Sequence, residues 1–204
     1  MFIFEELTWK EITDYLKEVN QRLAVIPCKG EIIIVGGAVM TAVFGSREST
    51  GDIDAAYEPE QIINKIVEDM AHVHGLREDW LNNDAAKFVR DKYNKKVFKK
   101  WSNLTVWHID EEGMLALKLT AARPSPLYKD LKDAIFLSNE LKIQSEQQLF
   151  DIVFEYFGRD GCTQRTLAFI KQVYKGYKSK TKIDINDAVD SILSGVSIKD
   201  VIKN

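Results

Sequence analysis

The sequence has few cysteines and no long apolar run, and each of these features argues against one class of protein. Its two cysteines, Cys28 and Cys162, lie far apart and lack the spacing of a metal site. Because cytoplasmic proteins keep their thiols reduced, this usage favours a cytoplasmic location. No apolar run approaches the roughly 20 residues that a membrane-spanning helix needs. We therefore expect a protein without a membrane segment.

The sequence also has few histidines and a small net charge. The three histidines are His72, His74 and His108. The first two stand two residues apart in a predicted helix, where their side chains diverge, so we expect all three to be structural. The formal net charge of -3 argues against a wholly basic nucleic-acid binder but leaves room for local basic patches. The N-terminal segment MFIFEELTWKE has acidic residues and no basic stretch, so it does not predict a signal peptide.

Apolar residues make up 45 % of the chain, and their spacing predicts a globular α+β fold. Short apolar runs predict strands at residues 31–35, 52–57 and 103–108, which we expect to form one small mixed sheet with helices packed on one face. Strands come early and helical spacing dominates later, which is typical of the α+β class. We therefore predict one domain over residues 1–140 and a helical C-terminal region over residues 141–204.

Capping signals mark the ends of several predicted helices. Thr8 and Glu11 have capping-box spacing, and so do Ser145 and Gln148. A helix that begins at Pro59 should stop at Gly75, because glycine readily adopts the left-handed conformation that ends a helix.

Residues 32–37, IIIVGG, run from a predicted buried strand into a glycine pair. Glycine here allows a tight turn and a close approach of the backbone to a ligand. The N–H groups at the start of the following helix can then meet phosphate oxygens. The pattern is neither a Walker A loop nor a dinucleotide fingerprint, because the Lys-Ser/Thr pair and the third glycine are missing. Gly36 and Gly37 therefore indicate either a purely structural turn or a phosphate-binding one.

Two aspartates, Asp52 and Asp54, flank Ile53 on the next predicted strand. Residues i and i+2 of a strand face the same side about 7 Å apart, while Ile53 points the other way into the core. Two carboxylates on one face repel each other unless a cation lies between them, and Mg²⁺ prefers carboxylate oxygens. The plain alternative is a solvated pair at the start of a strand. The preceding glycine turn favours the metal site.

Residues 35–57, VGGAVMTAVFGSRESTGDIDAAY, resemble the core of the DNA polymerase β-like nucleotidyltransferase superfamily. The subgroup that the sequence looks closest to is the DUF6036 nucleotidyltransferases, relatives of the AbiEii-type toxins of toxin–antitoxin systems. Residues 75–88, GLREDWLNNDAAKF, are similar to that group's Asp-Trp-Leu-Asn segment. Residues 114–137 resemble its lysine helix, which a basic-Asp-x-x-Asp helix follows. The resemblance covers residues 5–140.

The resemblance implies a metal-dependent nucleotidyltransferase that moves an NMP from an NTP to an RNA, such as a tRNA end, or to a protein acceptor. It also implies Mg²⁺ or Mn²⁺ as cofactor, and an antitoxin protein as partner if the chain is a toxin. The alternative is a catalytically inactive module of the same fold that binds nucleotide or RNA. The site residues implied are Asp52, Asp54, Lys118 and Asp130 for catalysis, Gly36, Gly37, Ala38, Arg47 and Thr50 for nucleotide, and Asp52 and Asp54 for metal.

The sequence departs from the family pattern at two places. Many members have serine after the glycine pair, where this chain has Ala38. Many active members also carry a third carboxylate on a later strand, and NLTVWHI has none. Asp110 follows that strand but fits a helix cap better. Asp130 or Asp133 can supply the missing charge.

Two basic side chains of the implied site have alternative interpretations. Lys118 is the only charge in the otherwise apolar segment MLALKLTAA, and a buried cation needs a partner. It can bind a substrate phosphate, pair with Asp130, or extend its stem to solvent. Arg47 either reaches a phosphate or lies on an exposed loop. In the 75–88 segment we expect Trp80 in the core and Asn82 as a helix cap.

A further stretch, AAKFVRDKYNKKVFKK, carries seven basic residues against one acid, with aromatic residues interleaved. This pattern suits a nucleic-acid backbone and stacked bases. It also suits a solvated strand or loop face. A second basic stretch, KQVYKGYKSKTK, lies near the C-terminus.

Overall fold

The computed structural model describes residues 6–89, 93–121 and 128–178. Within those residues it contains seven α-helices, a mixed five-stranded sheet and a two-stranded sheet, which confirms the predicted α+β class. The chain divides into two compact units, Met1–Asp110 and Glu111–Asn204. The predicted domain boundary after residue 140 stays a prediction, since compactness alone does not define an independently folding domain.

The first unit alternates helices and strands, and its larger sheet has the strand order β5-β4-β2-β7-β6. Strand β2 pairs parallel with β7 and antiparallel with β4, while β1 and β3 form the separate two-stranded sheet. The three predicted strands are the central neighbours β4, β2 and β7, as expected. The elements are β1 (Leu7–Thr8), α1 (Trp9–Val25), β2 (Gly30–Ile34), α2 (Gly36–Ala42), β3 (Ser49–Thr50), β4 (Ile53–Glu58), α3 (Glu60–His74), β5 (Leu81–Asn82), a 3-10 helix (Asp84–Lys87), β6 (Lys95–Lys100) and β7 (Leu104–Ile109).

The predicted helix ends in this unit are confirmed. The Thr8 hydroxyl accepts from the Glu11 backbone N–H, and the Glu11 carboxylate accepts from the Thr8 N–H, which closes a capping box. Helix α3 ends at Gly75, whose φ of +66° is the left-handed conformation expected there. These local signals set where α1 and α3 begin and end, and so how they meet the sheet.

One face of the larger sheet packs against helices α1 and α3. Ile32 and Ile34 of β2 and Ile53 of β4 are fully buried, as are Leu16 of α1 and Met70 of α3. Burial of each such side chain contributes about 1.5–3 kcal/mol to folding. This core fixes the orientation of β2 and β4, because a shift of one residue would turn every apolar side chain outward.

The opposite face of the sheet forms an open groove of about 1230 Å³. Register places Ile33 of β2 beside Ala56 of β4 and Trp107 of β7, so these three side chains share that face. The same alternation places Asp54 of β4 on the open face and Ile53 on the buried one.

The second unit is helical within its described residues. Its elements are α4 (Glu111–Thr120), α5 (Tyr128–Glu140), α6 (Glu146–Gly161) and α7 (Gln164–Lys178). The Ser145 hydroxyl accepts from the Gln148 N–H at 3.1 Å, so the predicted N-cap of α6 is confirmed. Gly158, with φ +62°, interrupts α6 near its C-terminal end. No helix in the described residues is long and apolar enough to cross a membrane.

Candidate functional site

The glycine turn at the end of β2 lies directly against the second aspartate. Gly36 has φ +64°, which favours glycine, and a Cβ added there would stand 2.9 Å from the Asp54 Oδ2 atom. The Val35 N–H donates to the Asp54 carbonyl at 2.9 Å, which extends the pairing of β2 and β4 to this point. A side chain at position 36 would therefore displace the carboxylate as well as strain the turn.

The second glycine lies against two other residues that the resemblance implies. A Cβ added at Gly37 would collide with the Thr50 hydroxyl and would stand 3.4 Å from a terminal nitrogen of Arg47. Gly36, Gly37, Thr50 and Arg47 therefore come together in one place. Ala38 is different, because its side chain is fully buried and only its backbone can face a ligand.

Asp52 and Asp54 flank the fully buried Ile53, as the alternation predicts. Asp54 is the second residue of β4, and Asp52 stands just before the strand. Both carboxylate residues are half-buried. Burial and the neighbouring Asp54 charge raise the pKa of Asp52, which the Arg77 charge partly offsets. The charges of the two carboxylates therefore interact with each other.

Asn82 orients one of these carboxylates. Strand β5 pairs parallel with β4 so that Asn82 lies opposite Asp54, and its side-chain amide donates to Asp54 Oδ1 at 3.2 Å. Its own Oδ1 accepts from the Asp84 N–H at 3.2 Å at the start of the 3-10 helix. The N-cap residue of that helix is Asn83, so Asn82 contacts the start of the helix from strand β5 instead of capping it, and it also holds Asp54. Sequence reasoning missed the second contact because it depends on the parallel pairing of β5 with β4.

Arg77 is a second neighbour of the carboxylate pair that sequence reasoning missed. Its guanidinium binds both carboxylate oxygens of Asp79, at 2.8 and 2.7 Å. This contact lowers the pKa of Asp79. Another of its nitrogens lies 3.9 Å from the place where a Cβ of Gly51 would stand. In the sequence Arg77 is only an arginine within GLREDW, and its position near Asp52 becomes apparent only in the fold.

The carboxylate pair suits a magnesium ion in number and chemistry. Within the described residues no group of three or more His, Cys, Asp or Glu side chains gathers as a metal site. Mg²⁺ is commonly held by one or two carboxylates while substrate phosphates and water fill the other positions. No side chain in the described residues donates a hydrogen bond to Asp52, and Asn82 reaches only one oxygen of Asp54. Carboxylate oxygens of both Asp52 and Asp54 therefore remain to bind an ion.

The open face of β7 carries no carboxylate. Thr105, Trp107 and Ile109 alternate along the face that also holds Asp54. The indole N–H of Trp107 is buried and has no hydrogen-bond partner within the described residues, so this position offers a donor where a carboxylate would offer acceptors. Asp110 stands immediately before α4, in the position of a helix cap.

Lys118 lies in the second unit and contacts two aspartates. Its Nζ atom is 2.8 Å from Asp133 Oδ2 and 3.3 Å from Asp130 Oδ1. The Lys118 side chain is 13 % exposed and Asp133 only 2 %, so the cation compensates a buried carboxylate. The predicted pairing with Asp130 is thus present, together with a contact to Asp133 that sequence reasoning did not predict.

The remaining predicted residues have structural positions. Trp80 is 1 % exposed and its indole N–H donates to the Val67 carbonyl at 3.2 Å, so it belongs to the core as expected. His74 contacts Glu18 at 2.8 Å, and His108 packs edge-on against Phe44. Cys28 and Cys162 are both free thiols.

Four of the five described basic residues of the stretch AAKFVRDKYNKKVFKK lie on strand β6 at the edge of the sheet. Residues 90–92 of that stretch, and residues 179–182 of the second one, lie outside the described residues. Comparison with known protein families, curated proteins and solved structures finds no match to this chain.

Proposed function

We propose that the protein is a metal-dependent nucleotidyltransferase that moves an NMP from an NTP to an RNA, such as a tRNA end, or to a protein acceptor. One observation carries the proposal. The Asp54 carboxylate lies so close to the Gly36 turn that no side chain fits between them, while Asp52 stands two residues away. A glycine turn in contact with one carboxylate of a pair can bring a phosphate beside a carboxylate-held metal ion, which suits nucleotidyl transfer.

Each residue of this site has a separate task in the proposal. Asp52 and Asp54 hold the ion, Mg²⁺ or Mn²⁺, and Asn82 keeps Asp54 in place through its amide. The bound ion supplies positive charge that offsets the triphosphate. Arg47 stands over Gly37, so its guanidinium adds positive charge beside the turn.

The triphosphate contacts are assigned to the backbone of the turn and to one hydroxyl. The Gly36 and Gly37 amides can approach a phosphate closely because neither residue has a Cβ. Thr50 places its hydroxyl against Gly37. Ala38 contributes its amide alone, because its methyl group is buried.

The same resemblance implies catalytic roles for Lys118 and Asp130. Lys118 is held between Asp130 and Asp133, so its ammonium group has a fixed position within the second unit.

The test is incubation with each labelled NTP, Mg²⁺ and total RNA, followed by a search for label on RNA and on protein. We expect label transfer by the wild type and none by Asp54→Asn. The matched control is Asp69→Asn, which removes an exposed aspartate on helix α3. Equal transfer by wild type and Asp54→Asn would contradict the proposal.

The second candidate function is an inactive nucleotidyltransferase-fold module that binds nucleotide or RNA. The open face of β7 favours it, because Thr105, Trp107 and Ile109 stand where a third carboxylate would be needed. Nucleotide binding that depends on Asp54, without transfer to any acceptor, would establish this candidate. A toxin role with an antitoxin partner in the cytoplasm follows from the resemblance alone, and growth arrest on expression tests it.

A further inference from the structure

Strand β6 combines an open edge with a high density of lysines. It is the last strand of the five-stranded sheet, and within the described residues no other strand pairs with its outer edge. Its sequence, KKVFKK, contains four lysines and no acidic residue. Lys95, Lys96 and Lys100 are exposed, and Lys99 is half-buried. Lysine on an edge strand discourages pairing with another copy, but charge of this density also attracts a polyanion.

The lysines lie on both faces of the strand. Lys95 stands opposite Ile109 and Lys100 opposite Thr105, which places both on the open face of the sheet. Lys96 and Lys99 stand opposite His108 and Val106, on the other face. The β-bulge between Val97 and Lys99 produces this arrangement. At about 3.3 Å per residue the strand is roughly 17 Å long between the outer lysines, enough to contact several phosphates of a nucleic-acid strand.

Aromatic and apolar groups accompany the lysines. Trp101 follows Lys100 directly, lines the groove and is half-buried. Val97 is 51 % exposed in the middle of the strand. Flat aromatic surface beside positive charge suits unstacked bases, whereas an acidic peptide would use the charge alone. The surface therefore favours single-stranded nucleic acid over an acidic protein.

The two ends of the groove differ in charge. At one end Lys100 lies in a row with Thr105, Glu31 and Glu58, and the two glutamates repel phosphate. At the other end Lys95 stands opposite the uncharged Ile109. A nucleic-acid strand therefore meets less repulsion at the Lys95 end of β6.

We propose that β6 docks the backbone of a single-stranded RNA. The link to catalysis rests on the function proposed above, for which it selects RNA from the two acceptor classes. The docking itself stands on the lysines of β6 and the register of the sheet alone.

The test measures the fluorescence anisotropy of a labelled single-stranded oligoribonucleotide at increasing salt. Four phosphate contacts predict a log–log salt slope of about -2.8, which is about a 50-fold loss of affinity between 50 and 200 mM salt. We expect the variant with Lys95, Lys96, Lys99 and Lys100 all changed to Gln to bind at least tenfold more weakly at low salt and to lose most of this slope. The matched control changes four exposed lysines elsewhere to Gln, namely Lys10, Lys17, Lys65 and Lys171.

Three results would contradict the proposal that β6 docks RNA: no RNA binding by the wild type at 50 mM salt, an equal loss of affinity in the control variant, or equally effective competition by polyglutamate. The Asp69→Asn variant should bind RNA as the wild type does. RNA binding without label transfer would support docking on β6 and contradict the proposed enzyme activity. Label transfer to RNA that is unaffected by the four substitutions would contradict docking on β6 and support the proposed enzyme activity.

Discussion

Asp54→Asn should leave the fold intact and abolish the stabilisation that nucleotide and Mg²⁺ confer. Two carboxylates about 7 Å apart repel each other by about 0.6 kcal/mol in water-like surroundings and about 2.4 kcal/mol at an effective dielectric constant of 20. Both groups are half-buried and Arg77 offsets part of the repulsion, so the lower figure is the better one. The substitution removes this repulsion.

The same substitution weakens one hydrogen bond. The Asn82 amide donates to Asp54 Oδ1, and a bond to a charged acceptor contributes about 1 kcal/mol more than one to a neutral acceptor. The relief of repulsion and the weaker bond therefore nearly cancel. We expect the free energy of unfolding of the variant to lie within about 1 kcal/mol of the wild-type value, which corresponds to a difference of about 2–4 °C in Tm for a chain of this size.

Ligand should separate the two proteins. At a nucleotide concentration of 100 times Kd, mass action stabilises the wild type by about 2.7 kcal/mol, or roughly 5–11 °C. The variant should gain almost nothing. Thermal melting with and without Mg²⁺ and each NTP measures both effects. A variant that melts much lower than wild type without ligand would mean that the aspartate pair is structural. Equal ligand protection of both proteins would mean that nucleotide binds elsewhere.

Three further predictions follow from the same contacts. Gly36→Ala should destabilise the protein by about 1–2 kcal/mol and reduce nucleotide protection, because φ is +64° and its Cβ would meet Asp54; equal chemical denaturation curves would contradict this. Lys118→Met should cost about 3–5 kcal/mol by leaving the Asp133 carboxylate buried without its cation, and adding Asp133→Leu should restore much of the loss; a neutral single substitution would refute the pairing. The raised pKa of Asp52 means that the folded protein holds this proton more tightly than the unfolded chain, so its contribution to stability falls as pH rises from the ordinary Asp pKa to the raised one. Asp52→Asn should remove that slope in denaturation measured between pH 4 and 7, and an unchanged slope would contradict it.

Local signals in the sequence predicted the helices and the three central strands well. The Thr8–Glu11 capping box and Gly75 give the ends of α1 and α3 because their effects reach only one turn of helix. Strands β1, β3 and β5 were not predicted, because each has only two residues, too few for a periodic pattern. The stretch that forms β6 was left open between a strand and a loop face.

The candidate site was predicted in its residues but not in its contacts. The alternation of Asp52, Ile53 and Asp54 already placed the carboxylates on one face, since the period of a strand is fixed at two. The contacts of Asp54 with Gly36 and Asn82 depend on antiparallel and parallel pairing across the sheet. Sequence spacing carries no information on that register, so Arg77 and Asn82 were not recognised as neighbours of the pair.

The α+β class, the glycine turn and the carboxylate pair were predictable from the sequence, because they follow from period, propensity and residue chemistry within a few positions. Packing of the whole chain sets which strands are neighbours and which face of the sheet stays open. It also placed Lys95 and Asp54 at the same end of the sheet and brought Asp133 to Lys118. These depend on which apolar faces bury one another, a property of the whole packed chain that no short segment contains.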